Sequence, residues 1–208
     1  MNIKEVLLKE IIKNGYEKPA DKRVWDISNR SFLYLTPEVT KGFLNLMNYD
    51  VYKRKIFDVE MELLKNNSGK LIKKIKANES FNVIDVGCGN GEKAKEVIKK
   101  LDEKTMVRYC PIAPGEYLIK VASDNIKKAK LTNVVELKHH KSNYENVNEF
   151  APLMRSGKFQ KNIILVLGTI LASYEINDFL FKLSNGMFKG DYAIIGNAVR
   201  RGERFVEI

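Results

Sequence analysis

The chain has 208 residues, of which 44% are apolar and 30% charged, and it carries a formal net charge of +10. That length permits one domain, or one domain with an appendage, and can bury a sizeable core. The composition is that of an ordinary globular protein. It excludes a low-complexity chain, and no uninterrupted apolar run reaches the roughly 18 residues that a membrane-spanning helix needs.

The opening stretch, MNIKEVLLKEIIKNG, repeats apolar residues at helical spacing through Val6, Leu7, Ile11 and Ile12. Gly15 suits the position just past a helix end. Charges are interleaved with the apolar residues and no small-residue cleavage site follows, so the stretch reads as an amphipathic helix and not a signal peptide. Residues 16 to 36 read as irregular, around Pro19 and Trp25. Thr36 followed by Pro37 and Glu38 is a helix start, with a capping hydroxyl, a pre-set φ and an acid in the first turn. That helix runs through Leu44 and Met47. A second is expected from about Val51 to Lys65, with Ile56, Val59, Leu63 and Leu64 on one side. The run NNSG at 66–69 reads as a turn, and Leu71–Lys76 as a short helix.

From Phe81 the pattern changes to alternating strands and helices. Strands are expected at 81–86, 105–112, 133–139, 162–168 and 191–198. Helices are expected at 91–101, 115–130, about 145–156, and 174–187. Near-continuous apolar runs such as IILVL mark central strands of a parallel sheet covered on both faces. The alternation implies a doubly wound α/β fold. Residues 1–78 are thus expected to form a helical N-terminal segment, and residues 79–208 an α/β domain.

Cys88 and Cys110 form neither a CxxC pair nor a disulfide framework, which points to reduced, packed thiols and a cytoplasmic setting. His139 and His140 have no third ligand at metal spacing, so no metal site is expected. The lysines are scattered in small groups along helix faces. A solvated lysine surface explains the charge more readily than a nucleic-acid footprint.

The chemistry-bearing stretch is VIDVGCGNGEK, residues 83–93. Asp85 closes a strand, then Gly87, Gly89 and Gly91 alternate with other residues, and a helix opens at Glu92. Glycines there can take positive φ and let backbone N–H groups approach a ligand without a Cβ in the way. A helix N-terminus beside them suits a carboxylate or other anion. The spacing is not the dinucleotide GxGxxG, because Glu92 stands where Gly or Ala belongs. Nor is it a phosphate-binding P-loop.

This turn, opening a β/α series behind a helical segment, resembles the class I S-adenosylmethionine (SAM)-dependent methyltransferases. Three stretches narrow the likeness to the histidine-specific methyltransferases of the ergothioneine pathway: DVGCGNGEKAKEVIKKL, YCPIAPGEYLIKVASDNI, and the run from LVLGTILASYE to GDYAIIGNAVR. NYDVYKRKIFDVEMELL is similar to a helix start of the same family. The likeness spans about residues 22 to 201. It implies a Rossmann-like methyltransferase sheet with SAM as cofactor. It also implies SN2 methyl transfer to an amino acid or other small molecule, a reaction that depends on alignment and needs no acid–base pair. By position, Asp85, Gly87, Cys88, Gly89 and Gly91 would form the cofactor turn, and Lys93 would meet the methionine carboxylate. Ala113 falls at the ribose, Asn143 and Tyr144 at the adenine, and Gly168 at the cofactor side of the fourth strand. Tyr49, Tyr52 and Ser173 fall on the substrate side. No catalytic residue is singled out.

Three departures stand against the family pattern. Ala113 replaces the ribose-binding acid, a loss of about one to two powers of ten in affinity unless Glu116 reaches back. Ser173 replaces the asparagine that grips the substrate amino acid. The sequence stops just after the fifth strand, so the usual hairpin of strands six and seven is not expected. The fifth strand would then be a bare edge, covered by a homodimer or a partner chain. These departures keep open a degenerate, non-catalytic partner subunit. An RNA methyltransferase is a further alternative. The bend at residue 87 is expected to meet its ligand free of side-chain obstruction.

Overall fold

Apolar runs punctuated by glycine turns organise the chain around a parallel sheet. The computed structural model describes residues 3–18, 21–25, 34, 36–75 and 78–197. Strands β1 (Ser80–Val86), β2 (Met106–Ala113), β3 (Val134–Leu137), β4 (His140–Lys141), β5 (Lys161–Val166) and β6 (Tyr192–Ile195) all pair in parallel, in the order β3-β2-β1-β5-β6, with β4 also on β2. The chain-reversal point therefore lies at β1, beside the glycine turn, where α/β sheets open a crevice at the carboxyl ends of their strands.

The expected third strand is split in two. Lys138 N–H bonds Tyr109 O and Ser142 N–H bonds Ala113 O, so this side of β2 faces β3 and β4. Pro111 falls on that side between them and has no N–H to give. The ladder is interrupted beside it, at Lys138–His139.

Register is locked at the opposite end of the strands by a buried polar network. Asn82 stands opposite Arg108 on β2 and Asn162 on β5. The Arg108 Nε donates to Asn82 Oδ1 at 2.8 Å, and Asn82 Nδ2 donates to Asn162 Oδ1 at 2.8 Å. Asn162 Nδ2 reaches Ala151 O at 2.9 Å. A one-residue slip would carry each of these groups to the other face and strand it unpaired.

The helices are α1 (Ile3–Asn14), α2 (Pro37–Asn48), α3 (Asp50–Tyr52), α4 (Asp58–Ile72), α5 (Glu92–Ile98), α6 (Glu116–Lys128), α7 (Val147–Leu153) and α8 (Ile176–Gly186). The α2 start is as the sequence reads: Thr36 is extended and its hydroxyl accepts from Val39 N–H at 3.5 Å. Gly15 follows α1 with φ +74°, its N–H on the Ile11 and Ile12 carbonyls. Glu17 and Val24 form an isolated antiparallel bridge in the stretch read as irregular, while Pro19 lies outside the described residues.

The turn expected at NNSG is absent. A wide π-type turn at Lys53–Phe57 leads from α3 into α4, which runs through Asn66–Gly69 to Ile72. Leu64, Ser68 and Ile72 lie four residues apart and are all buried. Glycine in a helix costs about 1 kcal/mol, less than the roughly 1.5–3 kcal/mol gained by burying each of two large apolar side chains. Leu64 and Ile72 thereby join the same apolar core as the strands, α6 and α8. Among the described residues no helix is long and apolar enough to cross a membrane.

The turn into β6 is held by Asp191. Its carboxylate pairs with Arg155 and accepts from Asn162 N–H at 2.7 Å and Phe188 N–H at 2.8 Å. The two charged side chains are only 8% and 1% exposed. Asp191→Ala would leave a buried guanidinium and two backbone donors without their partner. It is expected to lower unfolding stability by about 3–5 kcal/mol, read as a fall in the urea midpoint. A change under about 1 kcal/mol would show that solvent replaces the carboxylate.

Candidate active site

β1 ends in an acid and three glycines that the fold places at the mouth of the sheet. Gly87, Gly89 and Gly91 have φ of +70°, +52° and +79°, the left-handed conformation that side chains resist. Gly91 also packs tightly: a Cβ there would stand 3.0 Å from Ala122 O on α6. Gly87 and Cys88 N–H both point to Ile112 O, at 3.0 and 3.3 Å. Among the described residues, the Gly89 and Asn90 N–H groups have no hydrogen-bond partner, and both residues line a central cavity.

Asp85 lines that cavity, 4% exposed, and accepts a hydrogen bond from Tyr109 Oη at 2.7 Å. Burial pushes its carboxyl up to about 6, against the Tyr109 bond and the nearby Lys93 charge, which act to lower it. Burial likewise holds the thiol of Cys88 well above its usual value, so Cys88 is a neutral packing group and not a thiolate nucleophile.

Lys93, in the first turn of α5, is neither solvated nor free. Its Nζ donates to Glu60 of α4, 5.6 Å above the Phe57 ring. The other Glu60 oxygen accepts from Gly168 N–H at 2.5 Å. One carboxylate thus bridges the loop after β5 and the helix after β1. Gly168 has φ +78°, and a Cβ there would lie 2.9 Å from Lys93 Nζ. Glu60 was not legible in the sequence, because one of three acids spaced two apart at the start of a helix looks like a surface residue. Its signal was the cation at Lys93, unfavourable for its own helix and so in need of an outside partner.

The structure gathers Asp85, Gly87, Cys88, Gly89, Lys93, Tyr144, Gly168 and Tyr52 around the one cavity, together with Tyr34, Met47 and Ile170, which the sequence did not single out. The Tyr52 phenol is held above its usual pKa by burial and by the Glu60 charge. The remaining candidates stand elsewhere. Gly91 supports α6 packing, and Tyr49 is 63% exposed. Ser173 donates to Thr169 O at 2.9 Å. Ala113 is fully buried, and neither it nor Asn143 lines the cavity. Glu116 faces a separate outer depression with Lys120, Ser123 and His139, not the glycine turn.

The cavity is narrower than the bend alone implies. Its free volume is about 70 Å³, against roughly 300–1,000 Å³ for a small-molecule pocket. Ile170 is the obstruction: its Cδ1 lies 2.3 Å from where a Gly87 Cβ would stand. Tyr34 O likewise lies 2.1 Å from a Cβ position at Gly115, the start of α6. Among the described residues no group of three metal-ligating side chains occurs.

Asp85 ties the site to pH. Folded, its carboxyl titrates near 6, above the ordinary 3.8. Between those values the unfolded chain has released the proton and the folded chain still holds it. This group therefore makes stability fall as pH rises from about 4 to about 6. Asp85→Asn is expected to abolish that part of the decline, measured as the difference in urea unfolding between wild type and variant across this range. Parallel curves would show that Asp85 titrates normally.

A family model described as histidine-specific, SAM-dependent methyltransferase matches residues 43–207. No curated protein matches the chain. Solved structures with a similar fold include a SAM-dependent methyltransferase of Methanococcus maripaludis, 12% identical, covering 76% of this chain and 63% of that one at a TM-score of 0.48. Another, from Aquifex aeolicus, is 19% identical over 70% of this chain and 66% of its own, TM-score 0.40. Magnesium protoporphyrin IX methyltransferase of Synechocystis, crystallised with SAM, is 12% identical over 71% of each chain, TM-score 0.42. The chain thus spans just under two thirds of the first two structures.

Proposed function

The chain belongs to the histidine-specific, SAM-dependent methyltransferase family, and from that premise we propose that it binds SAM at the glycine turn and transfers its methyl group to a small-molecule acceptor. The observation that carries this reading is the left-handed run Gly87, Gly89, Gly91 at the end of central strand β1, with two cavity-lining residues, Gly89 and Asn90, whose N–H groups have no partner among the described residues. Those donors and Lys93 suit the amino-acid half of SAM. The ribose end is poorer, because Ala113 offers no carboxylate and Glu116 faces away.

SAM supplies a methyl group already activated on a sulfonium. The chain's task is therefore alignment and exclusion of water. The apolar walls Phe43, Met47, Ile56 and Leu118 do the second. Asp85 and Glu60 place negative charge beside a cationic ligand. Glu60 also holds Lys93, so a ligand carboxylate has to share that cation. The helical segment before β1 covers the substrate side, through Tyr52, and the loops after β1 and β5 hold the cofactor.

A second reading, a non-catalytic partner subunit of the same fold, is favoured by the small cavity and the Ile170 side chain against Gly87. Calorimetric titration with SAM and S-adenosylhomocysteine separates the two. Wild type is expected to bind both. Gly89→Val is expected to weaken binding at least about thirtyfold, because a β-branched residue resists φ near +52°. Lys93→Met is expected to weaken it about tenfold, the loss of one charge-assisted contact. Absence of heat with either ligand on folded wild type would establish the non-catalytic reading. Full affinity in Gly89→Val would place the ligand elsewhere.

A further inference from the structure

A second cavity, of about 370 Å³, lies between α4 and the end of β6. It shares Ile56, Leu167, Gly168 and Thr169 with the glycine-turn cavity, and Glu60, which lines it, pairs with Lys93 of that cavity. Its sides are apolar: Val59, Leu63 and Leu64 from α4 and Ile194 from β6 line it, with Ile195 at the strand end. Val59 and Leu63, one turn apart on α4, are 49% and 57% exposed, which leaves apolar surface open to water along this wall.

Each end of this groove carries a polar group with capacity to spare. At the end nearest the glycine turn, each Glu60 oxygen accepts one bond, from Gly168 N–H or Lys93, and a carboxylate oxygen can accept two. At the other end is Ser68, 1% exposed, whose Oγ has no partner. A helical serine ordinarily satisfies its hydroxyl on the carbonyl four residues back. Ser123 and Thr40 do so here, at 2.7 and 2.9 Å. Ser68 does not, although it lines the groove. Eight residues of helix separate it from Glu60, about 12 Å.

We infer that this groove is the methyl-acceptor site, and that the acceptor is an amine carried on an elongated apolar chain with a second polar group at its far end. The inference rests on SAM occupying the glycine turn. The amine donates a hydrogen bond to Glu60, the chain lies along Val59 and Leu63, and the far group pairs with Ser68. The bound ammonium first gives one proton to water, and the neutral amine's lone pair then forms the N–C bond to the methyl as the C–S bond breaks. The C–S pair stays on sulfur, leaving a neutral thioether, and the new ammonium releases its proton to water. A free amino acid is a poor fit, since it is too short to span the roughly 12 Å from Glu60 to Ser68.

The test uses the full chain, titrated calorimetrically with n-octylamine, 8-aminooctan-1-ol and L-histidine, with and without S-adenosylhomocysteine, and then incubated with SAM for mass detection of methylated product. Both amines are expected to bind and gain one methyl, and L-histidine to give no heat. Leu63→Lys, which keeps helix propensity at an exposed position, is expected to weaken both amines at least about tenfold. Ser68→Ala is expected to weaken the amino alcohol about fivefold and leave octylamine unchanged. Binding of L-histidine without the amines, or amine affinities untouched by Leu63→Lys, would overturn the inference. So would a dimer that Leu63→Lys dissociates while no amine binds, which would give the groove to a second copy. Homocysteine-nucleoside heat without amine heat sinks this inference alone. Amine heat without it sinks the methyl-transfer reading instead.

Discussion

A single carboxylate holds the working end of this molecule together. Glu60 projects from α4 and takes the N–H of Gly168, just after β5, and the ammonium of Lys93, just after the glycine turn. Both partners of the ion pair are largely shielded, at 16% and 20% exposure. Such a pair outweighs a surface salt bridge, and its loss would strand a cation beside an unbonded backbone donor. The contact fixes α4 against the sheet. It therefore also fixes the two hollows on either side: the narrow one at the glycine turn and the wider apolar groove towards β6.

The two ends of the strands are built on opposite principles. At their amino ends, Asn82, Arg108 and Asn162 satisfy one another and nearby carbonyls, and Arg108 lies 4.6 Å over the Phe159 ring. A fully bonded buried network of this kind rigidifies and specifies pairing. At their carboxyl ends the chain keeps left-handed glycines, backbone N–H groups without partners among the described residues, and a carboxyl whose pKa burial raises to about 6. Local consistency is given up there, which is where function is expected in a fold of this kind.

Much of this was legible in the chain itself. The strands came from apolar runs: β1, β2 and β5 fall within about two residues of where the pattern puts them, and β6 starts where expected but ends three residues earlier, at Ile195. The α2 start was written in Thr36–Pro37–Glu38 because capping is a local bond. The NNSG stretch misled because turn chemistry is a weak preference, overruled once Leu64 and Ile72 found the core. The third strand was read as continuous because a missing N–H at Pro111 matters only to the neighbour it faces. Of the site, the glycines and Asp85 were visible as a spacing. Glu60, Ile170 and Tyr34 were not, since each acts across a gap in sequence that no local pattern records.

The amino-acid sequence alone determined the class of fold, the place of the glycine turn at the end of the first strand and the kinship to a methyltransferase family. Those follow from periodicity and from backbone conformations that only glycine tolerates, and both are properties of neighbouring residues. Tertiary structure decided that Lys93 is already paired, that Ile170 crowds the turn and that an apolar groove with an unpaired Ser68 lies beyond Glu60. Contacts of α4 with the two loops, and of the loops with each other, create all three, and electrostatic pairing and close packing depend on distance in space, whatever the separation along the chain.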